Sequence, residues 1–163
     1  MTEPEVRVDR LTSLAELQSC AADVARQTQH RLTIFTPDLE PDLYNTTAFV
    51  NQCLHLLKRS RHTEILILIQ DTRSARECSH GMLRLMQYSD HQIQIRKSAA
   101  APNNPHLAYL IGDQAYLLRR QDARLPQGLC YTGDRARVKH QLEEFELLWR
   151  HAPPDPDIRS LSL

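Results

Sequence analysis

The chain has 163 residues, enough for one domain with a sizeable core and too few for two full domains. Twenty basic residues balance twenty acidic ones, so no global field draws the protein toward nucleic acid or anionic lipid. Clustered basic and aromatic residues are absent, which makes nucleic acid an unexpected partner. The longest strongly apolar run, residues 65–69, is far too short to span a membrane.

The cysteines and the first residues bear on the cellular compartment. Cys20, Cys53, Cys78 and Cys130 form no C-x-x-C pair, and Cys53 and Cys78 fall on apolar helical faces. We expect reduced core thiols of the kind found in the cytosol. Residues 1–9 are polar with no apolar stretch behind them, so no signal peptide is predicted. The sequence therefore favours a cytoplasmic protein.

The first half of the chain alternates helix and strand patterns. Ser13 and Glu16 form a capping box at the start of an apolar repeat typical of a helix. The predicted elements are a helix over residues 13–29, a strand over 31–36, a loop over 38–45, a helix over 46–61 and a strand over 64–71. The last of these has no polar alternation, which indicates a central strand covered on both faces.

The second half adds a hairpin and a final helix. Predicted in order are a polar stretch over 72–79, a helix ending near 89, a strand over 92–96, a loop over 98–105, a hairpin over 105–118, a polar segment over 119–127 and a short strand over 128–132. In the hairpin, His106 opens the first strand, and Gly112 and Asp113 occupy the turn. The closing helix begins at Asp134 and ends before the prolines that follow residue 152.

This order of elements predicts an α/β fold. Two strand-helix-strand units imply parallel pairing with right-handed crossovers, and the hairpin adds antiparallel strands. We expect a mixed sheet with a parallel core and helices on both faces. The predicted organisation is an N-terminal segment and helix over residues 1–30 that pack on the domain, a domain over 31–152 and a short tail over 153–163.

A histidine at the hairpin and an aromatic-rich final helix, in this order of elements, resemble one half of a phospholipase D-like domain. That superfamily carries His-x-Lys-x-x-x-x-Asp at the hairpin, and the chain has His106, Ala108 and Asp113 at those positions. A Gly-Ser-x-Asn element would fall near residues 128–131, where the chain keeps only the glycine. The match is thus a degenerate form of the motif.

Two further stretches sharpen the resemblance. Residues 35–44, Phe-Thr-Pro-Asp-Leu-Glu-Pro-Asp-Leu-Tyr, and the Glu-Phe-Glu-Leu-Leu-Trp sequence ending at Trp149 resemble a small bacterial family of uncharacterised phospholipase D-like domains. Those domains tend to occur attached to or near GNAT-type acetyltransferases. The resemblance, which covers residues 31–163, implies such an acetyltransferase as a partner.

The resemblance also implies a chemistry for His106. In active members, two halves bring two histidines together; one attacks phosphorus, the other protonates the leaving oxygen, and the lysines hold phosphate oxygens. The alanine at 108 cannot supply that charge. His106 and Asp113 are the candidate catalytic residues in a homodimeric phosphodiesterase or nuclease. The alternative is a strand-end histidine bonded to backbone or water, with Asp113 as a turn residue.

Other candidate site residues follow predicted strand ends. Arg96 and Lys97 end a parallel strand, where α/β folds gather ligands, and Arg119 and Arg120 end the hairpin. These are candidate anion-binding residues, or else solvated surface cations. Asp38 and Asp71 also follow strand ends and could face one cleft, although turn chemistry also explains them.

No metal or cofactor is predicted. His55 and His62 do not complete a ligand set, and His80, His91, His140 and His151 have the spacing of scattered surface residues. No Gly-rich phosphate loop is present. The sequence therefore favours a catalytically silent phospholipase D-like domain that acts as a binding or protein-interaction module, with a homodimeric phosphodiesterase as the alternative.

Overall fold

The computed structural model describes residues 5–78, 80–98 and 103–152, so the predicted tail over 153–163 lies outside the described residues. The elements in chain order are β1 (Arg7–Leu11), α1 (Leu14–Gln27), β2 (Arg31–Thr36), α2 (Pro41–Tyr44), α3 (Thr47–Arg59), β3 (Glu64–Ile69), α4 (Arg73–Glu77), α5 (Gly81–Tyr88), β4 (Ile93–Lys97), β5 (Ala108–Gly112), β6 (Tyr116–Arg120), β7 (Gly128–Thr132) and α6 (Arg135–Arg150).

The described strands form one mixed sheet of seven, in the order β1-β7-β6-β5-β2-β3-β4. β2, β3 and β4 pair in parallel because α3 and α5 return the chain to the same end of the sheet each time. β5 pairs antiparallel with β2, and β6, β7 and β1 continue that side of the sheet. This confirms the predicted α/β fold with a parallel core and an antiparallel hairpin.

Helices cover both faces of the sheet, as predicted. On one face α1, α2, α3 and α5 pack over a core that includes Leu17, Phe49 and Ile67. On the other face α6 buries Val138 and Phe145 against residues such as Tyr109. Successive strand residues point to opposite faces, so each apolar strand of the centre supplies both cores.

The strand β1 was not predicted from sequence. Its Arg-Val-Asp-Arg-Leu sequence is mostly polar, and Val8 is 52% exposed, because an edge strand pairs on one side only and leaves much of its surface in water. It pairs antiparallel with β7. The segment up to residue 30 thus adds an edge strand to the sheet as well as a helix to the core.

The hairpin differs from its prediction at both ends. β5 begins at Ala108, so His106 lies in a turn before the strand and does not open it. Gly112 is the last residue of β5, pairs with Tyr116 and is not in the turn, which contains Asp113 at a φ of 51°. A Cβ on Gly112 would lie 2.5 Å from the Thr28 hydroxyl, so close packing against α1 explains the glycine.

Several side chains also differ from expectation. Of the four cysteines, Cys53 is buried and Cys78 is exposed beyond α4, so the prediction of an apolar setting for Cys78 is wrong. His80 is fully buried, which corrects its placement among surface histidines. Short helices α2 and α4 form within segments predicted as loop or polar stretch.

Candidate functional site

The candidate site is the sheet edge at which β2, β3, β4 and β6 end and β5 and β7 begin. The pairing directions place these termini together, although the segments that carry them are far apart in sequence. We call this the C-terminal edge, because the parallel strands end there. In α/β folds this is the side on which polar groups from separate loops meet.

His106 lies at the C-terminal edge in the turn that precedes β5. Its amide donates to the Asn104 side chain at 3.1 Å, and its carbonyl accepts from the Ala123 amide at 2.7 Å. Asp122 is close enough for His106 to help lower the pKa of its carboxyl, although hydrogen bonds from Arg124 are the main cause. Within the described residues neither imidazole nitrogen has a hydrogen-bond partner, so the half-buried ring is available for a ligand.

Ala108, where the resemblance to the motif leads one to expect a lysine, is fully buried. It lies directly opposite Arg120 of β6, and opposed residues of an antiparallel pair project their side chains to the same face. The Arg120 guanidinium forms an ion pair with Glu40 and donates to the Ala123 and Leu125 carbonyls at 2.8 and 2.9 Å. A cation therefore stands beside the alanine, but its charge is already bound by protein groups.

The Arg120–Glu40 pair is almost entirely removed from water. The side chains are 6% and 13% exposed, and burial lowers the pKa of Arg120 from its usual value. The Nε atom of Arg120 is buried with no hydrogen-bond partner within the described residues. Sequence reasoning placed Arg120 beside Arg119 at the end of the hairpin but missed its partner Glu40, because no local pattern marks a pair that forms between β6 and the loop after β2.

In the loop after β2, Leu39 has a left-handed backbone conformation, and the acidic residues Asp38 and Glu40 flank it. Leu39 is fully buried with a φ of 59°, a region that residues other than glycine rarely adopt. Its amide donates to the Thr36 hydroxyl at 3.0 Å, and its carbonyl contacts His80 Nε2 at 2.8 Å. Asp38 and Glu40 are the residues on either side of Leu39, so these two contacts also hold them at the C-terminal edge.

Asp38 and Asp71 lie near each other, as their positions after parallel strands suggested. Burial is the main cause that raises the pKa of Asp38, and the negative charge of Asp71 raises it further. Asp71 behaves differently because Arg73 donates hydrogen bonds to it, which lowers its pKa to about 2. Asp71 is thus held as a paired carboxylate, while Asp38 is more easily protonated than an ordinary aspartate.

Asp113 and His106 are not brought together. They lie beyond opposite ends of β5, separated by the length of that strand, roughly 17 Å at 3.3 Å per residue. The Asp113 carboxylate accepts hydrogen bonds from the backbone amides of Gln29, His30 and Arg31, at 2.8 to 3.0 Å. It therefore joins the hairpin turn to the start of β2.

The predicted anion-binding residues are dispersed. Arg96 and Arg119 lie on the sheet face that α6 covers; Arg96 stacks 4.3 Å from the centre of the Trp149 ring and donates to the Trp149 carbonyl. Arg119 donates to the Gln121 side chain at 2.8 Å. Lys97 is exposed at the end of β4 and helps to lower the pKa of Asp71.

Gly128 is the residue that the chain keeps from the predicted Gly-Ser-x-Asn element. Gly128 begins β7 beside Arg120, and a Cβ there would lie 3.2 Å from Arg120 Cγ. No cluster of three or more potential metal ligands occurs among residues 5–78, 80–98 and 103–152. In the same ranges, no helix has the length and apolar character needed to span a bilayer.

Many solved structures share this fold, including those of TrmBL2, Nuc and NucT. The chain matches the archaeal chromatin protein TrmBL2, described as having a novel mode of DNA binding, with a TM-score of 0.67 and 14% identity; the match covers 95% of this chain and 56% of that one. It matches the phospholipase D family member Nuc from Salmonella typhimurium with a TM-score of 0.65 and 10% identity, covering 94% and 99%. It matches NucT from Helicobacter pylori with a TM-score of 0.64 and 8% identity, and the match covers 93% of this chain and 100% of NucT.

At these identities the matches establish the fold and not an activity. The chain spans about half the length of TrmBL2 and essentially all of Nuc and NucT. None of the curated proteins compared with the sequence matches it. The fold is therefore phospholipase D-like, and a family profile matches residues 13–161. The chain belongs to the family described as a domain of unknown function, DUF7931.

Proposed function

We propose that the protein is a catalytically silent phospholipase D-like domain that acts as a binding or protein-interaction module. The observation that carries this proposal is the pairing of Ala108 with Arg120. A phosphoryl-transfer site needs a cation free to stabilise the charge that develops on phosphate oxygens, and removing such a contact typically costs about a hundredfold or more in rate. Here the cation on that face is bound by Glu40 and two carbonyls.

The other charges at the C-terminal edge support the same proposal. Arg73 and Arg124 form ion pairs at 2.7 and 2.8 Å with Asp71 and Asp122, two residues away in each case. Each arginine is thus already paired with a carboxylate of its own segment, so neither adds an unpaired cation beside His106. Arrays of neutralised charge are better suited to hydrogen bonding with a polar partner than to binding a phosphate.

The proposed partners are a second copy of the chain and a GNAT-type acetyltransferase, and the proposed location is the cytoplasm. The support for the acetyltransferase is the resemblance of residues 35–44 and of the end of α6 to acetyltransferase-associated domains. Support for a second copy comes from the superfamily architecture, in which two halves form one site.

A homodimeric phosphodiesterase or nuclease is the second candidate. The observation in its favour is the His106 imidazole, whose nitrogens have no partner among the described residues although the ring is half-buried. Arg119 of β6, the strand beside β5, is the predicted anion-binding residue that could replace the missing lysine, whereas Lys97 of β4 lies three strands away. The fold match to a DNA-binding chromatin protein argues against excluding nucleic acid, so DNA is included as a test substrate.

Hydrolysis assays separate the two candidates. We would incubate the wild-type chain, His106→Ala and the control His140→Ala, which changes an exposed histidine of α6, with bis(4-nitrophenyl) phosphate and with single- and double-stranded DNA. The expected result is no hydrolysis above background by any of the three. Turnover that is lost in His106→Ala and kept in His140→Ala would overturn the proposal in favour of the enzyme.

Binding experiments test the interaction role. Analytical ultracentrifugation of the wild-type chain gives its oligomeric state, and calorimetric titration with a GNAT-type acetyltransferase of the same organism tests the partner. A saturable complex with the acetyltransferase, without hydrolysis of the substrates above, is the expected outcome. A monomer that binds neither itself nor the acetyltransferase but binds DNA would contradict the proposed partners.

A further inference from the structure

Two cysteines that are distant in sequence meet on the α1 side of the sheet. Cys20 lies on α1 and Cys130 on β7, and the two thiols are close enough for each to shift the pKa of the other. Both line one open cleft of about 440 Å³, and both are partly exposed. Reagents in water therefore have access to a pair of thiols that the fold holds together.

The surroundings of the pair give the two sulfurs different character. The neighbouring Cys20 thiol and Thr132 hydroxyl, together with the charge of Arg7, lower the pKa of Cys130, against the opposing effects of burial and of Asp9. The Cys130 sulfur raises the pKa of Cys20, and burial and the charges of Asp9 and Asp23 act in the same direction. Of the two thiols, Cys130 is therefore the one that more readily forms the thiolate, the nucleophilic form of cysteine.

We propose that Cys20 and Cys130 form a reversible dithiol–disulfide site that is oxidised by hydroperoxides. The inference stands apart from the proposed function, because the site lies on β7 and α1 and does not include His106.

The chemistry requires one molecule of hydrogen peroxide. The Cys130 thiolate attacks a peroxide oxygen, the O–O bond breaks, and the hydroxide that leaves takes up a proton as water, which gives a sulfenic acid on Cys130. Cys20 then loses its proton and attacks the Cys130 sulfur, forming the S–S bond and expelling hydroxide, which leaves as a second water. Two thiols are oxidised by two electrons and the peroxide is reduced to two waters.

The remaining cysteines provide internal controls. Cys53 is fully buried, and burial raises its pKa above the ordinary range, so it should not react in the folded protein. Cys78 is exposed, with its thiol directed to the Ala75 carbonyl at 3.7 Å, and it can react only as a single thiol or between molecules. A Cys78→Ser background removes that reaction.

The experiment treats reduced Cys78→Ser protein, at a concentration too low for cross-linking, with hydrogen peroxide and measures intact mass, free thiols and non-reducing peptide maps. The expected product is a monomer that has lost the mass of two hydrogen atoms and two titratable thiols, contains a Cys20–Cys130 peptide and reverts with dithiothreitol. Introducing Cys20→Ser or Cys130→Ser into the Cys78→Ser protein should abolish this disulfide product. In the Cys78→Ser/Cys20→Ser protein, a sulfenic acid trapped by dimedone should map to Cys130.

The stability of the oxidised protein provides a second readout. A bond that closes so long a loop should raise the melting temperature by roughly 5–15 °C in the chain-entropy treatment. The site would be refuted if peroxide left both thiols free, added oxygen without joining them, or gave only disulfides between molecules. A disulfide product that melts no higher than the reduced protein would also count against it, because it would show that the native fold does not hold the pair.

Discussion

Ala108 of β5 and Arg120 of β6 lie directly opposite each other, and the guanidinium of Arg120 forms a buried ion pair with Glu40 beside the alanine. In the superfamily motif, the position of Ala108 holds a lysine. Because the neighbouring strand presents an arginine on the same face, a second cation at 108 would meet a like charge in a site closed to water. A small neutral residue at 108 is thus compatible with the buried Arg120–Glu40 pair, whereas a lysine there is not.

Restoring the lysine is expected to destabilise the protein. Ala108→Lys places an ammonium at a fully buried position next to Arg120, and we expect the free energy of unfolding to fall by about 2 kcal/mol or more. Urea denaturation of the variant checks this. The control is Gln114→Lys, an exposed position in the turn of the same hairpin, for which a change within about 0.5 kcal/mol is expected. Unchanged stability together with new phosphodiesterase activity in Ala108→Lys would contradict the interpretation.

The Arg120–Glu40 pair should be strongly coupled. Removing one partner leaves a buried charge uncompensated, so we expect Glu40→Gln and Arg120→Met each to cost roughly 3–5 kcal/mol, with the double variant costing less than their sum. Chemical denaturation of the four proteins completes the cycle.

A matched control for this cycle is the Arg73–Asp71 pair at the same edge, whose side chains are 81% and 43% exposed. Its coupling should stay below about 1 kcal/mol because water screens an exposed pair. The interpretation would be contradicted if the stability losses of Glu40→Gln and Arg120→Met simply added in the double variant. It would also be contradicted if the coupling energies of the Arg120–Glu40 and Arg73–Asp71 pairs were equal.

His80 should make stability depend on pH. Burial lowers its pKa from 6.5 to about 4, with Nε2 contacting the Leu39 carbonyl and Nδ1 accepting from the Met82 amide. The unfolded chain binds a proton on His80 below pH 6.5 while the folded chain stays neutral, so stability is fully present above about pH 6.5 and is lost as pH falls toward 4. The full effect is on the order of 3 kcal/mol.

Denaturation curves measured between pH 7 and pH 4 provide the test. In His80→Gln this part of the pH dependence should disappear, whereas the exposed His140→Ala should retain it. If the wild-type slope survives in His80→Gln, the titrating group lies elsewhere.

Asp113 should be a structural residue and His106 should not. Asp113→Asn keeps a side chain that tolerates a positive φ but loses acceptor capacity toward the amides of residues 29–31, so we expect a loss of about 1–3 kcal/mol. In His106→Ala no side-chain hydrogen bond to a described residue is removed, and its melting temperature should stay near that of the wild type. Calorimetry on both variants distinguishes the roles. If His106→Ala lowered the melting temperature more than Asp113→Asn, then His106 and not Asp113 would be the structural residue.

The sequence by itself determined the elements whose pattern repeats within one short window. The apolar residues 65–69 predicted a central strand, Asp134 and the prolines after residue 152 marked the two ends of the final helix, and the order of all the elements predicted the mixed sheet. Propensity and periodicity are properties of neighbouring residues, so they can be read before the chain is folded. Where the pattern was weak, as in the polar edge strand β1, the prediction failed.

Only the tertiary structure decided which distant groups meet. The opposition of Ala108 and Arg120 follows from strand register, and Glu40 reaches the guanidinium because the Leu39 backbone takes a conformation that packing enforces. The burial of His80 and the contact of Cys20 with Cys130 likewise depend on elements far apart in the chain. Such contacts decide whether a charged side chain is free or paired. The sequence around His106 and Ala108 therefore could not show whether an unpaired cation lies beside them.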